Sequence, residues 1–141
     1  MSALPQEKLV FHHVGIACAD VEEETAHYLA LGYARETEIF TDETQRIRGL
    51  FMTNGGFRIE LLEPAGENSP LTGYLARGVQ MYHHAYEAPE FSATIRRLEE
   101  AGHRIVVPPV FAVAFKRKIC FLMLTNRSLI ELIEPPAVPR P

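Results

Sequence analysis

Two histidines and two glutamates stand at matched places along the chain, and together they are residue types that could hold a divalent cation. His13 opens the run His-Val-Gly-Ile-Ala-Cys-Ala-Asp, and His83, 70 residues later, opens His-His-Ala-Tyr-Glu-Ala-Pro-Glu. Glu60 lies inside Ile59-Glu-Leu-Leu-Glu-Pro64, and Glu131, 71 residues later, lies inside Ile130-Glu-Leu-Ile-Glu-Pro135. A carboxylate within an apolar strand is costly unless it is paired or coordinated. Two imidazoles and two carboxylates would balance a divalent charge and suit a hard-to-borderline metal. They would leave two positions of an octahedron for water or for two neighbouring oxygens of a substrate. Each residue alone has a plainer reading, as a hydrogen-bonded strand histidine or as a glutamate on a solvated sheet face. Their recurrence in pairs favours the metal.

The same offset sorts the remaining histidines. His12 falls over Tyr82, so His13 and His83 form the only equivalent pair. His12 and His84 are expected to pack or be capped away from the site, and His27 and His103 to be ordinary helix and turn residues.

An internal repeat of this kind dictates the elements that must position the four residues. Each half opens on an alternating strand, Leu9–Cys18 or Gln80–Ala88. Asp20 or Glu90 then starts a helix, as an acidic residue at a helix N-terminus does. Gly32 or Gly102 stops it. Three further strands follow: Ala34–Phe40, Ile47–Thr53 and Arg58–Leu62 in the first half, and Arg104–Val107, Lys118–Leu124 and Leu129–Ile133 in the second. Asn54-Gly55-Gly56 turns between two of them. The expected fold is α+β, two paired βαβββ modules forming a half-open barrel with a metal-binding cleft. The modules run from about 9 to 64 and from about 80 to 135. A connector of about 65–79 joins them, with a short helix over Leu71–Ala76 and an extended tail over Pro135–Pro141. Neither module can close a core alone, and the concave face they share is a natural ligand site.

Composition narrows the class. A chain of 141 residues, 47% of them apolar, is one domain with a real core. A net charge of −4 argues against nucleic acid, which normally meets a basic stripe. No apolar run is long enough for a membrane span, and the first residues lack the pattern of a secretory signal. Cys18 and Cys120 sit singly in apolar runs and read as reduced, buried thiols. A cytoplasmic protein is the expectation.

At this point the phrases His13-Val-Gly-Ile-Ala, Ile59-Glu-Leu-Leu-Glu-Pro, Glu67-Asn-Ser-Pro and His83-His-Ala-Tyr-Glu resemble the vicinal oxygen chelate superfamily. Its methylmalonyl-CoA epimerases and glyoxalase I enzymes are the nearest in pattern, over about Leu9 to Pro135. The resemblance implies that His13, Glu60, His83 and Glu131 bind one divalent ion, with zinc, nickel, cobalt and manganese as candidates. It implies removal of a proton beside a carbonyl or thioester, the metal acting as Lewis acid and Glu131 as both ligand and base. The expected partner is a small molecule, an acyl thioester, and the expected assembly is a homodimer.

Two departures stand out. Epimerases of this kind carry a second acid/base in a Glu-Gln phrase; aligned on Gln45, that position holds Thr44, and Glu43 is one residue away. The run Val110-Phe-Ala-Val-Ala-Phe-Lys-Arg-Lys118 replaces a Gly-rich loop. There Phe115 and its apolar neighbours could line an acyl pocket. Lys116 and Lys118, with Arg117, either meet the charged end of a CoA-type substrate or form a solvated basic hairpin. Glyoxalase I chemistry on a glutathione hemithioacetal uses the same ligand set and is the second enzymatic reading. A ring-cleaving iron dioxygenase would leave free the position that Glu60 fills. A metal-free sequestering protein of the same fold would need none of the four.

Overall fold

A computed structural model describes residues 8–136, so the expected Pro135–Pro141 tail lies outside the described residues except for its first two. In chain order the first module holds β1 (Val10–Ala17), α1 (Val21–Ala30), the short β2 (Ala34–Arg35) and β3 (Phe40–Asp42), then β4 (Ile47–Asn54) and β5 (Phe57–Pro64). After α2 (Leu71–Ala76) the second module holds β6 (Met81–Glu87), α3 (Phe91–Glu100), β7 (Arg104–Ala112), β8 (Arg117–Met123) and β9 (Leu129–Ile133).

The strands form one open mixed sheet in the order β2-β4-β5-β1-β6-β9-β8-β7, with β3 also pairing β4. β1 and β6 lie antiparallel at its middle, and each has the last strand of its own module in parallel beside it, β5 next to β1 and β9 next to β6. The four strands that carry the repeated His and Glu residues are therefore adjacent. The repeat and the α+β architecture expected from the sequence are both present.

Alternation along these strands separates two faces. Ile59 and Leu61 of β5 pack with Val21 of α1, and Ile130 and Leu132 of β9 pack with Phe91 and Ile95 of α3. The intervening Glu60 and Glu131 face the opposite, concave side, where Leu62, Ala85, Phe121 and Ile133 of both modules share a core with Leu71 of α2. α1 begins where the Asp20 carboxylate accepts from the backbone N–H groups of Glu22 and Glu23 at 2.9 and 3.1 Å. Both long helices are followed by a glycine in the left-handed region, Gly32 and Gly102. Cys18 and Cys120 are free and buried, one under each helix.

Two strands differ from expectation. Ala34–Phe40 is not one strand, because the Thr37 hydroxyl accepts the Phe51 N–H at 3.0 Å and takes the place of a ladder carbonyl. The strand expected over Arg104–Val107 instead continues to Ala112 through Pro108 and Pro109. It lies at the sheet edge, where a missing N–H is tolerated, and its pairing with β8 slips twice on the way.

Candidate metal centre

The central strand pair is irregular at two places related by the repeat. Phe11 pairs with Tyr86 and His13 with Ala85, so His12 is an extra residue in β1; Gly15 pairs with His83 and Ile16 with Met81, so Tyr82 is an extra residue in β6. A β-bulge re-aims side chains. Here each bulge falls on the residue before a histidine of the pair and brings its side chain to the concave face. This corrects the expectation for His12, which lies against His13 rather than elsewhere, with ring centroids 5.0 Å apart. His84 is capped away from the site, its Nδ1 lying 2.9 Å from the Tyr86 hydroxyl.

The four expected ligands converge. The Nε2 atom of His13 lies 3.0 Å from Oε1 of Glu60, 3.3 Å from Oε1 of Glu131 and 3.0 Å from Nε2 of His83. The Nε2 atom of His83 lies 3.5 Å from Glu60 Oε1 and 3.3 Å from Glu131 Oε1. All four residues are buried, none more than 3% exposed. The plainer reading, glutamates on a solvated sheet face, is thereby excluded. Close approach is built into the backbone at Gly15, where a Cβ would stand 2.1 Å from Cε1 of His83.

Charge organises the cluster. Burial alone would lower the basicity of His13, but the Glu60 and Glu131 carboxylates outweigh it and lift the imidazole from 6.5 to about 9. Burial pushes Glu60 up while His13 and His83 pull it further down, to about 2. Glu131 is likewise lowered against its burial by the two imidazoles, and His83 is raised. His12, by contrast, is held down to about 4 by burial and by the neighbouring His13, so it is a neutral imidazole.

These residues fit a divalent cation. Their donor atoms all lie within 4.8 Å of one another. Two imidazole Nε2 atoms face each other at 3.0 Å, and Oε1 of Glu131 makes no hydrogen bond among the described residues. A hydrogen-bond network alone leaves that buried oxygen orphaned, whereas a cation at the centre of the four would satisfy it.

The space around the donors is small, about 10 Å³, and is roofed by Phe115, whose ring stacks on His13 at 5.8 Å. A much larger, mostly apolar cavity of about 460 Å³ abuts it; Gln45, Ile47, Tyr82 and Phe121 line both. Of the apolar Val110–Phe115 run, Val110 lines the large cavity, whereas Phe115 lines only the small space. Lys116 and Lys118 are exposed and belong to neither lining, while Arg117 pairs with Glu87 at 2.6 Å. Glu43 is also exposed and outside both linings. The carboxylate that this turn directs inward is Asp42, 1% exposed, which accepts from the Gln45 N–H, the Gln45 side chain and the Val113 N–H.

Sequence reasoning missed Phe51 and Phe121, which flank His13 and His83 at 5.1 and 5.2 Å between centroids. The offset of 70 residues relates them, so the repeat could have found them. It also relates Lys116 to Arg46, the cation that does line the large cavity.

The chain and its sheet match known proteins. The chain belongs to the glyoxalase/bleomycin resistance protein/dioxygenase superfamily, whose model matches residues 12–121. Within it, the chain is 33% identical over 97 residues to the ethylmalonyl-CoA/methylmalonyl-CoA epimerase of Cereibacter sphaeroides, covering 67% of this chain and 72% of that one. It is 26% identical over 113 residues to the mitochondrial methylmalonyl-CoA epimerase of Mus musculus, covering 79% of this chain and 64% of that one. The crystal structure of methylmalonyl-CoA epimerase from Mycobacterium tuberculosis superposes with a TM-score of 0.82 at 29% identity, over 95% of this chain and 94% of that one.

Proposed function

We propose that the protein is a metal-dependent epimerase that removes and returns a proton beside the carbonyl of an acyl thioester of the methylmalonyl-CoA kind. The observation that carries this is the convergence of His13, Glu60, His83 and Glu131 at the edge of an apolar cavity of about 460 Å³. A divalent cation held by the four would act as a Lewis acid on a substrate carbonyl oxygen. Such an ion, held by four protein donors, would have room for neighbouring oxygens of one substrate.

Glu131 is the group we assign to the proton. Its Oε1 has no hydrogen-bond partner among the described residues, and its depressed basicity keeps it ionised and ready to accept. Phe51, Phe115 and Phe121 keep water from the donors and so strengthen the electrostatics there. The acyl part would lie in the apolar cavity against Tyr82 and Phe121, with Arg46 available to a carboxylate or phosphate. Lys116 and Lys118 would serve only the distal, solvent-exposed part of such a ligand.

Inversion at carbon needs a second acid on the opposite face. Glu43 can take that role only if its turn rearranges, so Glu43→Gln is informative. Loss of epimerisation with retained proton exchange supports the role, and unchanged epimerisation removes it. Two free thiols suit a reducing compartment, and we keep the cytoplasm and a homodimer as assignments that fractionation and sedimentation would test.

The reading as a whole is tested by incubating cobalt-loaded protein with methylmalonyl-CoA in heavy water. Deuterium entering the α-position supports it. A loaded protein that exchanges nothing there contradicts the substrate assignment and turns attention to the glutathione hemithioacetal of glyoxalase I, which the same ligand set would serve.

A further inference from the structure

We propose that His12 is a positioning residue for His13: its imidazole accepts the Nδ1–H of His13 and so fixes the tautomer and tilt that present Nε2 to the metal. The inference rests on the metal reading above. The two Nδ1 atoms are 2.8 Å apart. Nε2 is the His13 atom that meets Glu60, Glu131 and His83, so its lone pair must be free for an ion. A neutral imidazole with a free Nε2 lone pair carries its proton on Nδ1. That makes His13 the donor and Nδ1 of His12 the acceptor, with the proton of His12 on its own Nε2.

Adjacent strand residues ordinarily point to opposite faces, and the bulge at His12 is what lets two consecutive imidazoles meet. The bulge is held in place: Nη1 of Arg58 donates to the His12 carbonyl at 3.2 Å, and the His12 ring meets the rings of Phe51 and Phe115 edge-on. His13 is wholly buried. With no acceptor beside it, its Nδ1–H would be orphaned, and the tautomer with the proton on Nε2 would compete and block the lone pair.

The other half of the repeat lacks this device. Tyr82 stands where His12 does and meets His83 edge-on, with centroids 4.4 Å apart, and Nδ1 of His83 has no hydrogen-bond partner among the described residues. Two near-equivalent ligands are thus unequally supported, His13 through a partner imidazole and His83 by packing alone.

The test compares full-length wild type with His12→Phe, which keeps a ring but no acceptor, and His12→Asn, whose Oδ1 falls near the place of Nδ1. His12→Leu serves as a second acceptor-free side chain should the phenyl ring prevent folding. The readouts are cobalt affinity, the cobalt d–d spectrum and thermal unfolding of the chelator-treated proteins. Loss of an outer partner of a metal-bound histidine typically costs about 10–100-fold in affinity. We expect that loss and an altered spectrum in the acceptor-free variants, and near wild-type behaviour in His12→Asn. Wild-type affinity and spectrum in the acceptor-free variants would overturn the role of His12 while leaving the metal site standing. So would a His12→Asn variant as weak as the others, since that would reveal packing alone. A wild-type protein that takes up no cobalt would instead overturn the metal reading, and the role of His12 with it.

Discussion

We assign Glu131 the roles of both ligand and base, and it is buried with one oxygen left without a hydrogen bond among the described residues. Glu131→Gln keeps the shape but removes the charge; it should weaken cobalt binding and abolish α-proton exchange while leaving the circular dichroism spectrum unchanged. A variant with full occupancy and full exchange would show Glu131 to be neither ligand nor base. Gly15→Ala should displace the His83 ring, since the new Cβ would stand 2.1 Å from Cε1 of His83. Overpacking of this kind costs about 1–3 kcal/mol, read as a lower midpoint of denaturation, and cobalt affinity should fall with it. The charges of the cluster also set a pH dependence. His13, raised from 6.5 to about 9, stabilises the metal-free fold fully below 6.5, and that stability is lost as pH rises through 9. Glu60, lowered from 4.5 to about 2, contributes fully above 4.5 and loses its contribution as pH falls through 2. His12, lowered from 6.5 to about 4, contributes fully above 6.5 and loses its contribution as pH falls through 4, so the metal-free protein should have its highest melting temperature near 6.5. A bound ion must displace the proton of His13, so the rise in melting temperature produced by cobalt should grow as pH climbs toward 9. A cobalt effect that shrank with rising pH would contradict this. The four residues of the proposed metal site were legible in the sequence because they come in pairs. His12 was not, because a bulge changes which face a residue occupies and leaves no mark on the spacing.

At the scale of elements, the turns that end β3 and β7 meet over the site. Both finish on a non-glycine residue in the left-handed region, Arg46 and Lys116. Asp42 ties them together by accepting from Gln45 in its own turn and from the Val113 N–H of the other. Asp42→Ala would orphan those donors at a cost of about 1–3 kcal/mol. It should also free the turn that holds Phe115 over His13, so proteolysis or hydrogen exchange within residues 113–116 should quicken. Unchanged protection there would mean that the turn is held by packing alone. Strand and helix bounds could be read from the sequence to the residue at β9 and α2, Leu129–Ile133 and Leu71–Ala76. The prolines in β7 and the side-chain acceptor of Thr37 defeated the pattern, since each depends on a neighbouring strand that the sequence does not display.

For the whole molecule, the repeat explains the fold and the site together. Two copies of one module pair their first strands, and that single pairing sets β5 and β9 on either side, so the two histidines and two glutamates meet at the pseudo-symmetric centre. The symmetry is incomplete where substrate would enter. The repeat sets Gln45 and Arg46 of one module in the places of Phe115 and Lys116 of the other, and of these four only Gln45 and Arg46 line the apolar cavity. That asymmetry distinguishes one end of a ligand from the other, and spacing alone could not reveal it. No helix among the described residues is long and apolar enough to cross a membrane. The most direct measurement is the metal content of purified protein, by elemental analysis before and after incubation with cobalt, nickel, zinc or manganese, alongside His83→Ala. A metal held by the four residues should give about one divalent ion per wild-type chain and little or none in the variant. Wild-type chains that stay empty with every ion, or a His83→Ala variant loaded as fully as wild type, would contradict it.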